Sequence, residues 1–557
     1  MDRRALPAPS LHSTNDIVEP RTAVEGVVAV IWRELLRLER VGVDENFFEL
    51  GGHSLLATQL TARLRAAFAV DLSLRDLFDA PTIAGVARNL ESAMRQGNGE
   101  GLPAITARSL GGHLPLSSAQ EQFLTLDDLL SGAEFLHLPY GYRLTGPLDV
   151  AALRRSLQTI VDRHAVLRTL FRDVDGAPAQ TIRRSQKLVC SVVDLTALAP
   201  GQRQAALARL SNHDASATFD LATRPAFRVK LIRLAPCEHV LLVTLHHIIG
   251  DQWSLRRFRY ELTKLYEAFA RGLPSPLADL PIQFADFTRW QNQLLETGGF
   301  DEQFKYWRNI LAGAAPRLEF TGAPRRGARS GYRSARKFLT LDADLFAGVR
   351  ELSRRRKLTP FVVLLAALDA WLWRLTDSRD IRIATLVANR SRPHTEELIG
   401  YLVNAVVLRA QIAPRMSFIE LLDQARATAL GAFAHQDLPI ESLVRALQDK
   451  KNSPNRSLYH VMMNYRRFAF QSESVSGLTI ASLGGTDRAA AADVAFTSAD
   501  LSFDFRETST ALTASVSYKV ARFDESFVAH ALKQFSGVLA QAVAVPERKL
   551  SSIKLTP

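Results

Sequence analysis

Apolar residues recur at helical spacing through the first hundred positions. Val24, Val27, Val28, Ile31, Leu35 and Leu38 fall on one helical face, and Thr22-x-x-Glu25 ahead of them reads as a capping box. Phe47, Phe48 and Leu50 can plug a small core before a flexible Gly51-Gly52 turn. Ser54 then starts a second helix carrying Leu56, Leu60, Leu64 and Phe68. A third helical stretch spans about Thr82 to Met94, behind Pro81. The pattern predicts a bundle of three or four short helices over residues 21–96. Residues 1–20 and 97–112 are rich in proline, glycine and small polar residues and read as linkers. From residue 113 onward strand-like and helix-like segments alternate, which predicts an α/β domain with two lobes, 113–280 and 281–557.

Within the larger part the most informative stretch is Leu241-Leu-Val-Thr-Leu-His-His-Ile-Ile-Gly-Asp-Gln-Trp-Ser254. An apolar strand ends in His246 and His247. A loop with Gly250 and Asp251 follows, and Ser254 looks like the N-cap of a helix running to about Arg271. Strand, loop, helix is a rigid base for reactive side chains, and a histidine in a dry loop can take or hold a proton. On this stretch alone, two ordinary histidines beside a core strand are an equally good reading.

At 557 residues the chain exceeds one hydrophobic core. Its 47% hydrophobic and 23% charged residues are ordinary for a globular protein. The net charge of +12 would allow a nucleic-acid or membrane partner, but the basic residues are dispersed and carry no nucleic-acid motif, so neither partner is expected. No apolar run reaches the roughly 20 residues of a membrane span, and the N-terminus shows no hydrophobic signal region. Cys190 and Cys237 make no disulfide framework and no metal spacing. The expectation is a monomeric cytoplasmic protein without metal.

Two sets of motifs bring in a resemblance. The run Asp44-x-x-Phe47-Phe48-x-Leu50-Gly51-Gly52-His53-Ser54-Leu55 is similar to the attachment motif of peptidyl carrier domains in nonribosomal peptide synthetases. The resemblance implies that Ser54 receives 4′-phosphopantetheine from a phosphopantetheinyl transferase and that the arm carries an aminoacyl or peptidyl thioester. A helix N-terminus suits the phosphate. Leu55 is expected to face partners, not the bundle core. Asp2-Arg3-Arg4-Ala5-Leu6-Pro7-Ala8-Pro9 looks like the tail of an upstream adenylation domain, which makes the chain a piece of a longer assembly line.

The larger part resembles condensation domains of the same synthetases, motif by motif and in their order. The matches are Leu114-Pro-Leu-Ser-Ser-Ala-Gln-Glu-Gln-Phe123, Asp162-Arg-His-Ala-Val-Leu-Arg-Thr-Leu-Phe171, the His-His-x-x-x-Asp loop, and Phe284-Ala-Asp-Phe-Thr-Arg-Trp290. Val387-Ala-Asn-Arg-Ser-Arg392 with Ile399-Gly-Tyr-Leu-Val-Asn404, His435-Gln-Asp-Leu-Pro439 and, loosely, Ser457-Leu-Tyr-His-Val-Met-Met463 follow. The resemblance implies two lobes like chloramphenicol acetyltransferase, set in a V around a tunnel with the histidine loop at its middle. It implies amide formation between the donor thioester on Ser54 and an amine on a downstream acceptor carrier. His247 then orients or deprotonates the amine. His246 and Trp253 belong to the motif as structural residues. Asp251 pairs with Arg390 to pin the loop, and the Gly250 N–H is a candidate oxyanion donor.

Gln252 stands where the family has glycine. A positive φ there would strain glutamine, and its amide either borders the tunnel or points away. The first histidine is not the Asp of heterocyclising relatives, and the Glu-Gly-His-Gly-Arg segment of epimerising ones is absent, which suggests an L or achiral donor. Two alternatives remain open: a condensation domain silenced by Gln252 that only docks or recruits partners, and ester formation with a hydroxyl acceptor.

Overall fold

Local capping starts most of the helices, and the first shows how such a signal is modified. A computed structural model describes residues 18–68, 70, 72–96, 102–130, 134–313, 318–320, 334–390, 392–447, 457–467, 472–483, 499–508 and 511–555. Helix α1 (Ala23–Leu36) begins where the Thr22 hydroxyl accepts the Glu25 N–H. The expected capping box is only half made, because the Glu25 carboxylate takes the Arg21 N–H and guanidinium instead. The buried stripe of α1 is Val28, Ala29, Ile31 and Trp32, while Val27 is exposed. The stripe is turned from the expected one because Trp32 packs edge-on against the fully buried Phe47, ring centroids 5.0 Å apart. Leu35 and Leu38 are only half-buried.

Helices α2 (Ser54–Phe68), α3 (Leu74–Asp79) and α4 (Ile83–Gln96) complete this unit. Leu60, Leu64, Leu77, Ile83, Val86 and Leu90 fill its core. Phe48 is half-buried and stacks on Phe78. A Cβ on Gly52 would stand 2.3 Å from the Phe47 ring, so only glycine lets the chain pass the plug and enter α2. Most of the predicted 1–20 linker, the side chains of Ser54 and Leu55, and residues 97–101 lie outside the described residues.

The chain divides into two compact units between Leu102 and Pro103. Residues 103–112, expected as linker, run along a helix of the second unit, α9 in the order given below. The Trp290 indole donates to the Pro103 carbonyl at 2.7 Å, Arg289 to the Ser109 carbonyl at 2.5 Å, and the Arg108 N–H to Asp286 at 3.0 Å.

The first half of the larger unit contains β1 (His113–Pro115), α5 (Ser118–Leu129), β2 (His137–Thr145), α6 (Val150–Arg163), β3 (Thr169–Val174), β4 (Ala177–Ile182) and β5 (Cys190–Asp194). Then come α7 (Pro200–Ser216), β6 (Phe227–Ala235), β7 (Glu238–His246), α8 (Gln252–Ala270), α9 (Phe284–Glu296) and α10 (Asp301–Ile310). The second half has β8 (Ser334–Leu341), α11 (Ala343–Arg355), α12 (Pro360–Thr376), β9 (Asp380–Val387), β10 (Asn404–Gln411), α13 (Phe418–Ala434) and α14 (Ile440–Leu447). It closes with β11 (Val461–Arg467), β12 (Glu473–Val475), β13 (Leu478–Ser482), β14 (Leu501–Glu507), β15 (Leu512–Lys519) and α15 (Glu525–Ala544).

Two six-stranded sheets organise these elements, ordered β12-β13-β2-β7-β6-β5 and β10-β9-β11-β14-β15-β8. A separate three-stranded sheet is ordered β1-β4-β3. The expected lobe boundary at residue 280 does not separate the sheets. The β12–β13 hairpin, from late in the chain, extends the first sheet by pairing Thr479–Ser482 with Tyr142–Thr145. Among the described residues no single helix is long and apolar enough to cross a membrane, and no group of three or more His, Cys, Asp or Glu could hold a metal ion.

Candidate active site

The site begins at the end of a central strand. In β7 Val240, Leu241, Leu242, Val243 and Leu245 are all buried between β2 and β6. His246 is its last residue, opposite His137 of β2, and its N–H still donates to the Ala226 carbonyl. The chain then tightens into a 3-10 turn, His247–Ile249. The His246 ring caps this turn: its Nδ1 accepts the Ile248 N–H at 3.1 Å, while Nε2 lies 3.5 Å from Asp127. Burial pulls the His246 imidazole below its ordinary value, against the pull of Asp127. His137 packs against it and is drawn down by burial to about 4. Both rings are fully buried on the core side of the turn.

His247 faces other surroundings. It is 6% exposed, lies nearly parallel to Phe123 at 5.8 Å between centroids, and meets Tyr401 edge-on at 5.9 Å. Gly250 does not serve as expected. Its N–H donates to the His247 carbonyl at 3.2 Å and closes the turn, so it is not aimed at a substrate oxygen. Its φ of −174° is ordinary extended backbone, and what favours glycine there is the Leu245 side chain, 3.0 Å from where a Cβ would stand.

Asp251, not Ser254, is the N-cap of α8; the helix starts at Gln252, and Ser254 closes a capping box. Asp251 Oδ1 accepts from the Ser254 N–H (2.9 Å), the Ser254 hydroxyl (2.8 Å) and Arg390 Nη2 (3.0 Å). Oδ2 accepts from Arg390 Nη1 (2.9 Å) and the N–H groups of Leu402 (3.2 Å) and Val403 (3.3 Å). Burial would raise this carboxyl, but Arg390 and the hydrogen bonds outweigh it and hold it below the usual range. Arg390 also donates to the carbonyls of Ala388 and Gly400, and Gly400 donates to the Ser254 hydroxyl. Gly400 has no room for a side chain: a Cβ would sit 2.3 Å from the Phe284 ring. Segments 139 positions apart are therefore joined by a bidentate, fully buried ion pair with every carboxylate oxygen occupied.

Trp253 adds a second tie. Its indole donates to the Glu396 carbonyl at 2.9 Å, and the Arg390 guanidinium lies 5.4 Å from its ring centre. Gln252 is half-buried at the first position of the helix and is not among the residues with positive φ, so the strain considered for it does not arise.

Several residues at this site carry roles that sequence reasoning missed. Gln120, inside the quoted Ser-x-Ala-Gln motif, is fully buried and donates to the Ile248 carbonyl at 3.2 Å. Asp127 had no sequence signal, being one acidic residue on a half-exposed helix. His164 and Glu261 form a buried contact at 2.9 Å, with Arg163 and Arg257 on the same carboxylate. Burial would raise Glu261, but His164 and Arg257 overcome it and hold it at about 2. Asn404 ties two motifs together, donating to the Gln436 and Leu438 carbonyls and accepting the Ile440 N–H.

In the smaller unit, Ser54 opens the 15-residue helix α2 directly after Gly52 and His53. A phosphoester there would meet the N–H end of the helix.

Comparison with known proteins agrees with both parts. Residues 111–557 match the family described as "Condensation domain" and residues 27–90 match "Phosphopantetheine attachment site". The chain is 38% identical to part of a linear gramicidin synthase protein from Brevibacillus parabrevis, over 100% of this chain and 11% of that protein. It is 35% identical to part of cyclosporin synthetase from Tolypocladium inflatum, over 100% of this chain and 4% of that one. The chain therefore spans a small part of these curated relatives. Among solved structures, the X-domain from teicoplanin biosynthesis superposes with a TM-score of 0.71 at 26% identity, covering 81% of this chain and 100% of that one. The condensation domain from the Monacolin K polyketide synthase superposes at 0.67 and 20% identity, over 80% of this chain and 100% of that one, a likeness of fold alone.

Proposed function

The chain belongs to the condensation-domain family, and from that premise we propose that it forms a peptide bond between a donor held on its own carrier unit and an amine on a separate acceptor carrier. Residues 21–96 are the carrier, 97–112 its connection and 113–557 the condensing domain. The arm attached at Ser54 supplies a thiol that holds the donor as a thioester. The observation that carries the reading is the place of His247, on a turn closed by its own carbonyl and pinned through Asp251 to Arg390.

The chemistry asked of the site is modest. The amine nitrogen attacks the thioester carbonyl, a C–N bond forms, the C–S bond breaks, and the amine loses one proton. A neutral imidazole at His247 accepts a hydrogen bond from the amine, aims its lone pair, and takes the proton as the bond forms. His246 is occupied on the core side of the turn and takes no part. Asp251 and Arg390 keep the turn in place without touching substrate. An upstream adenylation domain loads the carrier and a phosphopantetheinyl transferase modifies it.

The reading is tested by mixing the chain, loaded at Ser54 with an aminoacyl group, with a separately loaded acceptor carrier and identifying the product by mass spectrometry. An amide on the acceptor, absent when the acceptor is withheld, is expected. An ester would assign the same residues to a hydroxyl acceptor. No transfer to any loaded carrier would leave docking or recruitment as the role.

A further inference from the structure

Helix α5 plays no part in the chemistry above, yet one of its faces meets three successive residues of the histidine loop. Gln120, Phe123 and Asp127 recur at i, i+3 and i+7 and so lie on one side of the helix. Gln120 meets Ile248: its amide nitrogen donates to the Ile248 carbonyl at 3.2 Å. Its orientation is fixed, because its amide oxygen accepts the Ser117 N–H at 3.0 Å in the capping box that starts α5. Phe123, 1% exposed, meets His247 with its ring inclined by only 20°. Asp127 meets His246 at 3.5 Å. Tyr401, from the loop that also binds Asp251, stands at 84° to both the Phe123 and His247 rings.

We propose that α5 is the positioning element of the reaction: Phe123 and Tyr401 set the plane of the His247 ring, and Gln120 holds the turn that carries it. The inference rests on the reading of His247 as the group that handles the amine. The turn fixes the backbone of His247 but leaves two side-chain torsions. A flat ring on one side and an edge from another direction restrict both. Ordinary core packing would ask only for apolar volume at position 123. Plane-setting asks for a flat face, and the two requirements separate in Phe123→Leu, which keeps most of the volume and loses the face.

The full chain is used, with Ser54 loaded and a loaded acceptor carrier added. Two quantities are read in the parent, Phe123→Leu and Gln120→Leu: the acceptor dependence of single-turnover transfer, and the rate at which diethyl pyrocarbonate modifies His247. The exposed His213 and His530 serve as internal references. Both variants are expected to lower the maximal transfer rate about 10- to 100-fold while the half-saturating acceptor concentration stays within about 2-fold, as for lost positioning and not lost binding. His247 modification rises relative to the references. Parent-like transfer and parent-like modification in both variants would overturn the proposal, and Gln120→Leu decides it if Phe123→Leu does not fold. A parent chain that transfers nothing would refute the amide-forming reading instead. The modification rates would then decide the positioning alone: faster in the variants supports it, unchanged overturns it.

Discussion

Asp251 and His247 lie in one loop, and their surroundings predict opposite phenotypes. Six donors converge on the Asp251 carboxylate, two of them from Arg390, which is 1% exposed. Asp251→Ala leaves a buried guanidinium without its counter-charge, and a loss of ~3–5 kcal/mol of stability is expected. Denaturant unfolding of the variant measures it; a melt like the parent's with activity lost would mean that Asp251 acts directly on substrate. The motif resemblance made the Asp251–Arg390 pair legible in advance. It could not reveal that the Gly250 N–H is used inside the turn, because that bond is backbone to backbone and leaves no mark on residue type. Local sequence also points to Ser254 as the cap, three residues late, because the helix starts at Gln252 behind Asp251. Both are good capping residues, and the structure uses both, Asp251 at the N-cap and Ser254 as its reciprocal partner.

At the scale of elements, periodicity located helices well and their partners poorly. Helix α1 was expected from its apolar spacing, but which stripe faces inward depended on Trp32 meeting Phe47, a contact across the bundle. Helix α12 is buried almost all round and carries Asp369 at 2% exposure, with an Oδ1 that finds no hydrogen-bond partner among the described residues. Burial raises this carboxyl well above its ordinary 3.8. The unfolded chain releases the proton above about 3.8 while the folded chain keeps it, so stability falls as pH rises past that value. Asp369→Asn removes the slope and is expected to stabilise the domain by ~1–3 kcal/mol at pH 8; parallel melting curves of parent and variant from pH 5 to pH 8 would contradict this. Glu261 has the opposite sign. Held at about 2 against an ordinary 4.5, it contributes stability that is fully present above 4.5 and lost as pH falls towards 2. Glu261→Gln should therefore flatten the acid limb of the unfolding curve between those two values, and an unchanged limb would place the acid lability elsewhere.

At the scale of the whole molecule, motif order along the chain identified both parts, and long-range strand pairing stayed hidden. The β12–β13 hairpin returns to the first sheet, 342 positions from Tyr140 to its Ser482 neighbour, and nothing local in its sequence names that partner. Residues 103–112 looked like linker because proline and glycine punctuate them, yet their carbonyls are taken by Trp290 and Arg289 of α9. Such contacts lie with the partner residue, where composition gives no warning. The central claim is that one residue on the loop, His247, carries the transfer while the rest of the chain holds it in place. The most direct test is the single-turnover rate of amide formation for the parent and His247→Ala, each loaded at Ser54 and mixed with the same loaded acceptor carrier. The account predicts loss of about two to four orders of magnitude in rate, with loading at Ser54 and the melting temperature retained. Transfer by His247→Ala at the parent rate would contradict it.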